Sequence, residues 1–151
     1  MLCQELVRDD PWQVLVVCFM LNCTTGTQVR RVFPEFFHRW PAPADLLAAD
    51  PEEVKQVICS LGFKNRRYER IRRMSEEFLR WDGRDARDLY GVGQYAADSY
   101  TLFVEGVLPR EVQDKELRRF CQWARGLPNT EADGHGQRQG HVQDHDRRAG
   151  V

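Results

Sequence analysis

From residue 12 to residue 21 almost every position is apolar: Trp12, Val14, Leu15, Val16, Val17, Cys18, Phe19, Met20 and Leu21, interrupted only by Gln13. A helix that is apolar on all sides belongs at the centre of a core. Asp10-Pro11 in front of it supplies a capping side chain and a proline at the first helical position. A different pattern follows. Val29, Val32, Phe33, Phe36, Phe37 and Trp40 recur at three- and four-residue spacing, the signature of an amphipathic helix to about residue 40. Thr25 or Thr27 can cap it, and Pro34 inside it is expected to bend the helix or to mark its first turns.

Before this pair, residues 1–8 predict a short amphipathic helix with Leu2, Leu6 and Val7 inward. After it come a short helix over residues 43–49 and, at Asp50-Pro51, a second cap-plus-proline start for a helix to about residue 59. Leu61-Gly62-Phe63 is a tight turn carrying two apolar side chains. Asn65 is the expected cap of a long helix to about residue 81, with Tyr68, Ile71, Met74, Phe78 and Leu79 on one face and arginines on the others. Asp82-Gly83 breaks that helix. Asp85 caps a short one, residues 94–104 form another, and Asp114 opens the last, through Leu117, Phe120, Cys121 and Trp123 to Arg125, with Gly126 as its stop. No strand pattern or internal repeat interrupts the series. The expected fold is all-α, a helical domain over residues 1–126. Residues 127–151 lack aromatics and are rich in Gly, Gln, Asp, His and Arg, so they are expected to form a disordered polar tail.

Composition narrows the picture. Net charge is −1, so no overall polycation is present, yet seven basic residues against three glutamates lie between Lys64 and Arg80. That face is either solvated surface or a surface for phosphates. Only Lys55, Lys64 and Lys115 are lysines. The five cysteines, Cys3, Cys18, Cys23, Cys59 and Cys121, include no Cys-x-x-Cys pair, so neither a zinc site nor an iron–sulfur cluster is expected. Reduced thiols in an intracellular protein are the expectation. No signal peptide is visible. The longest apolar run falls far short of the roughly 20 residues that span a bilayer, so no membrane partner is expected.

Candidate chemistry gathers around Leu89-Tyr90-Gly91-Val92-Gly93-Gln94-Tyr95. Two glycines permit positive φ and a sharp turn, and Val92 between them can plug into the core. The amides after Gly93, with Gln94 leading, open a helix and form a natural cradle for phosphate. A hairpin of this kind grips phosphate without reading sequence. Asp114, 21 residues after Gly93, stands where a connector can return it toward the hairpin. By itself it reads as an ordinary N-cap, which any Asp that opens a helix can be.

Taken together, Gln4-Glu5, Asp10-Pro11-Trp12, Leu21-Asn22-Cys23-Thr24-Thr25-Gly26, Leu61-Gly62-Phe63, Gly91-Val92-Gly93-Gln94-Tyr95 with Asp98-Ser99-Tyr100, and Asp114 with Leu117 and Trp123 resemble the helix-hairpin-helix DNA glycosylase superfamily. They are most similar to the glycosylase domain of the methyl-CpG-binding-domain mismatch thymine glycosylases. The resemblance spans about residues 2–125 and keeps the family's order. It implies excision of thymine or uracil mismatched with guanine in double-stranded DNA, by flipping the nucleotide into a pocket, in base excision repair. It implies Asp114 as the catalytic carboxylate, Tyr95 and Gln4 as base-pocket residues, and Gly91, Val92, Gly93 and Gln94 as the phosphate-binding hairpin. Cys23 stands where the family has an arginine that fills the emptied stack. Thr24, another loop residue or Phe63 must then do so, or flipping is weaker. Leu61, Gly62 and Phe63 match the loop that wedges at the opposite strand. Relatives that also cut the strand use a lysine two positions after the second hairpin glycine. Here that position is Tyr95, so a monofunctional enzyme without lyase activity is implied, with no metal or other cofactor.

The methyl-CpG-binding module is not in evidence, so the chain is expected to be at most a catalytic domain. A monomer is expected, in the nucleoid or cytoplasm of a bacterium or the nucleus of a eukaryote. Two other readings stay open: a glycosylase for another damaged base, and a non-catalytic DNA-binding module that kept the hairpin.

Overall fold

Helix α2 (Pro11–Met20) runs through the middle of the structure, with Val14 to Met20 all buried. The structure is a computed structural model, and it describes residues 1–109 and 111–126. The expected tail at 127–151 therefore lies outside the described residues. Around α2 stand α1 (Cys3–Leu6), α3 (Gly26–Arg39), α6 (Lys64–Phe78) and α7 (Gln94–Phe103). Helices α4 (Pro43–Ala48) and α5 (Pro51–Ile58) cover the far side of α6, and α8 (Lys115–Ala124) is the last described element. Single 3₁₀ turns at Cys59–Leu61 and Ala86–Asp88 complete the elements among the described residues, which include no strand.

Local chemistry explains most starts. Asp10 accepts from the Gln13 amide at 3.1 Å and Asp50 from the Glu52 amide at 3.0 Å, each followed by its proline. Of the two threonines offered as caps, Thr25 is the one used. Its Oγ1 accepts from the Gln28 amide while Gln28 Oε1 accepts from the Thr25 amide at 2.9 Å, a reciprocal box that satisfies two otherwise orphaned donors. Helix α3 then runs as one element through Pro34, which sits on its exposed side. The opposite stripe is aromatic and buried: Phe36 lies edge-on to Phe37 at 5.3 Å and to Trp40 at 5.2 Å, and Trp12 of α2 meets Phe37 at 5.8 Å. Trp12 Nε1 donates to Ser75 Oγ at 2.9 Å, which fastens α2 to α6.

Four expectations fail at helix ends and on α6. Leu6 and Leu79 are half exposed, because α1 is only one turn long and α6 stops at Phe78. Asn65 does not cap α6. The chain leaves Gly62 at φ +82 and Phe63 at φ +49, so the helix already begins at Lys64, with Phe63 as its uncapped first flank. Arg67 is not on a solvated face but buried, at 3% exposure.

Candidate functional site

The hairpin is built on one positive-φ residue, not two. Gly91 has φ +76, whereas Gly93 has φ −100, open to any residue. Gly91 also sits against Phe19 of α2, where a Cβ would meet ring carbons at 3.0 and 3.1 Å. Leu89 and Val92 point into the core, and the Val92 amide donates to the Leu89 carbonyl at 3.2 Å. The turn is tied to α6 as well. The Tyr90 amide donates to Glu77 Oε1 at 2.7 Å, and the Arg73 guanidinium lies 4.0 Å from the centre of the Tyr90 ring. What emerges is the first turn of α7, with no side-chain cap at Gly93. The amides that open a helix have no partner within it and carry its positive end.

Tyr95 in the first turn of α7 and Ser99 one turn further in both face Gln4 of α1. Gln4, 1% exposed, donates from Nε2 to Tyr95 Oη at 2.6 Å and to Ser99 Oγ at 3.2 Å. Cys18 Sγ lies 4.0 Å from the same Nε2. Burial pushes the Cys18 thiol up to about 12. It also lifts the Tyr95 phenol well above its usual range, helped by the negative potential of Cys18 and Asp114. Both groups are therefore neutral hydrogen-bonding groups at physiological pH. Gln4 reads on sequence alone as a surface residue; its Tyr95 and Ser99 partners lie more than 90 positions away, and only the resemblance signalled it.

Asp114 is buried at 1% exposure, and its Oδ1 accepts from the Leu117 amide at 2.9 Å, so it does cap α8. It is also within electrostatic reach of Tyr95, Cys18 and Asp98. The residue that caps α8 is thus also a neighbour of the Gln4–Tyr95 group. Asp98 is a further buried carboxylate that spacing did not single out. Gln94 Nε2 donates to its Oδ1 at 2.8 Å, while Oδ2 is buried without a hydrogen-bond partner. Burial raises its carboxyl above the ordinary value, against the Gln94 hydrogen bond. Asp98 lines a cleft of about 270 Å³ with Arg84, Arg87 and Gln94.

The remaining candidates form a second group. Cys23 lies at the exposed tip of the α2–α3 loop with φ +57. The Thr24 hydroxyl turns back to the Met20 carbonyl at 2.6 Å. Leu61 is buried, but Phe63 is 70% exposed. Arg67 stands between these loops, and sequence reasoning missed it because nothing in a helix-surface arginine pattern marks one member as internal. Among the described residues no cluster of three or more His, Cys, Asp or Glu could hold a metal ion, and no helix is long and apolar enough to cross a membrane.

Comparison with known proteins identifies the family and the fold. The thymine/uracil-DNA glycosylase of Pyrobaculum aerophilum is 36% identical over 137 residues, covering 86% of this chain and 59% of that protein. The methyl-CpG-binding domain protein 4-like protein of Arabidopsis thaliana is 38% identical over 105 residues, 70% of this chain and 24% of that protein. The chain thus spans between a quarter and three-fifths of these relatives. A solved thermostable thymine-DNA glycosylase superposes with a TM-score of 0.67 at 20% identity, over 88% of this chain and 73% of that one, a likeness of fold. The model of the HhH-GPD superfamily base excision DNA repair proteins matches residues 16–140, which include the second half of the buried helix, the hairpin and the capping aspartate. An all-helical core, a glycine hairpin opening a bare helix and a buried carboxylate beyond it are accounted for together: this chain belongs to the HhH-GPD superfamily of base excision DNA repair proteins.

Proposed function

We propose that the chain is a monofunctional DNA N-glycosylase that removes thymine or uracil from mismatches with guanine. The observation that carries this reading is the buried grouping of Gln4, Tyr95 and Asp114 beside the first turn after the hairpin. The reaction breaks the bond between C1′ and the base nitrogen, and the electron pair leaves with the base. The sugar passes through an oxocarbenium-like state, as in glycoside hydrolysis. The Asp114 carboxylate stabilises that charge and takes a proton from the water whose oxygen bonds to C1′. The products are a free base and an abasic sugar. Tyr95 has no amine for a Schiff base, so the strand stays intact.

Gln4 donates through Nε2 to Tyr95 and Ser99, which leaves its carbonyl oxygen to accept the N3–H of thymine or uracil. Both Gln4 and Asp114 are 1% exposed, so the nucleotide reaches them only as the surrounding elements part. The hairpin amides at the bare start of α7 grip a backbone phosphate. Phe63 is the large exposed side chain on either loop, and it takes the role of a wedge, apolar insertion being a known way to unstack bases. The partner is double-stranded DNA, engaged by a single copy.

Duplexes carrying G·T, G·U or A·8-oxoguanine, with an intact control, test the reading when alkali follows incubation. Strand breaks are expected from the first two, only after alkali, and none with Asp114→Asn. Asparagine caps a helix as well as aspartate does, whereas Asp114→Ala also loses about 1 kcal/mol of stability, so the pair separates chemistry from folding. Binding without excision of any base would favour a non-catalytic module. Excision at A·8-oxoguanine alone would make the chain a glycosylase for another lesion, and a borohydride-trapped adduct would overturn the monofunctional mechanism.

A further inference from the structure

One guanidinium joins the two loops that carry Cys23 and Phe63. Arg67 Nη1 donates to the carbonyls of Phe19 at 2.9 Å, Met20 at 3.3 Å and Asn22 at 3.0 Å. Its Nη2 donates to the Leu61 carbonyl at 3.0 Å and its Nε to the Gly62 carbonyl at 3.2 Å. Three acceptors are at or just past the end of α2, where the helix presents its negative pole. Two belong to the turn before α6. The side chain reaches both from within the first turn of α6, so three segments meet on one planar group. Cys23 and Phe63, one on each loop, are the non-glycine residues with positive φ among the described residues. Such backbone strain persists only where the surroundings over-determine it.

We propose that Arg67 is a positioning residue that makes these two loops one rigid wedge, so that a nucleotide is pushed out of the duplex and the gap is filled in a single concerted fit. This rests on the glycosylase reading above. Arg67 touches no substrate. It acts by fixing the left-handed tips that do, and it fits that task because five donors in a fixed fork can hold several carbonyls at once. Lysine keeps the charge but has neither the plane nor the reach for both loops. The clamp matters where a paired base must be extracted and little where the base is already unpaired.

The test compares wild type with Arg67→Lys, and with Arg67→Gln should the lysine variant not fold, on one uracil presented in two ways: paired with guanine in a duplex, and unpaired in a bubble. Misplaced positioning groups cost on the order of 100-fold, so the variant's single-turnover rate should fall by about that factor on the duplex. On the bubble it should change little. A variant merely damaged in its fold would lose both rates alike, and that result would overturn the inference. Hydrogen exchange of the wild-type protein supplies a readout that needs no catalysis. Amides at 22–25 and at 61–63 should gain protection together when a G·U duplex is added, and Arg67→Lys should loosen both sets together. Protection or loosening of one loop alone would refute the clamp. If wild type excises from neither substrate, the glycosylase reading fails, while the exchange data still decide whether the loops move as one body.

Discussion

Gly91→Ala offers the sharpest check on how the hairpin is held. Two penalties act together. An L-residue in left-handed backbone costs roughly 1–2 kcal/mol, and the φ of +76 leaves no doubt about the region. The new methyl also meets Cζ and Cε2 of Phe19 at 3.0 and 3.1 Å. Phe19 is buried, and Arg67 holds its carbonyl, so neither ring nor helix end yields freely. Overpacking of this kind adds about 1–3 kcal/mol. The sum is roughly 2–5 kcal/mol, or about 8–20 °C of Tm at some 4 °C per kcal/mol for a chain of this size. Gly83→Ala is the control. It has nearly the same φ, +80, with nothing within 4 Å of its added Cβ, so it isolates the backbone penalty at about 1–2 kcal/mol. Thermal melts of both variants followed by far-ultraviolet circular dichroism give the comparison. Equal losses would refute the close approach of the hairpin to α2.

Further outcomes follow from single contacts. Ser75→Ala strips the Trp12 indole of its acceptor inside the core and should lower stability by about 1–3 kcal/mol, read as a shifted urea midpoint at unchanged slope; a shift within error would mean that the indole finds another partner. Asp98 has a folded carboxyl raised above the ordinary 3.8, chiefly by burial. The folded state therefore holds a proton that the unfolded chain has released, and stability falls as pH rises from about 4 through the raised value. Asp98→Asn should flatten that slope and leave the protein more stable at neutral pH; a steeper slope or a loss of stability would show that the ionised carboxylate is favourably held.

What the sequence reveals is what is local. Asp10, Thr25, Asp50 and Asp114 act on amides two or three residues away, so spacing alone places three helix starts and narrows the fourth to Thr25 or Thr27. The aromatic stripe of α3 and the all-apolar α2 are equally readable, since burial on that scale needs a recognisable period. Gln4 and Arg67 are not. Each is polar, each is buried, and their partners lie 91 to 95 and 45 to 48 residues away as well as nearby. A polar residue enters a core only when distant groups converge on it, and no short-range pattern encodes that convergence. Leu6 and Leu79 mislead for the converse reason: a period continues on paper beyond the last turn that the structure can bury. The hairpin is legible as a turn, yet the division of labour between its glycines is not, because the need at Gly91 comes from a ring 72 positions earlier.

Among helices of eight residues or more, α2, α3, α5 and α8 begin with a side-chain cap, while α6 and α7 do not. Those two open at Phe63 and Gly93, on the edges proposed above to meet DNA. A cap contributes about 0.5–2 kcal/mol, so the unliganded protein is less stable than its composition would allow. That deficit is concentrated where a ligand can make it good. Anyone hardening this chain against heat would find a serine or aspartate at position 93 an obvious improvement. The same hydroxyl or carboxylate would occupy the amides permanently. If the proposed phosphate grip is right, a thermal screen would therefore reward the substitution that most blunts it, and instability at this one helix start becomes reserved affinity.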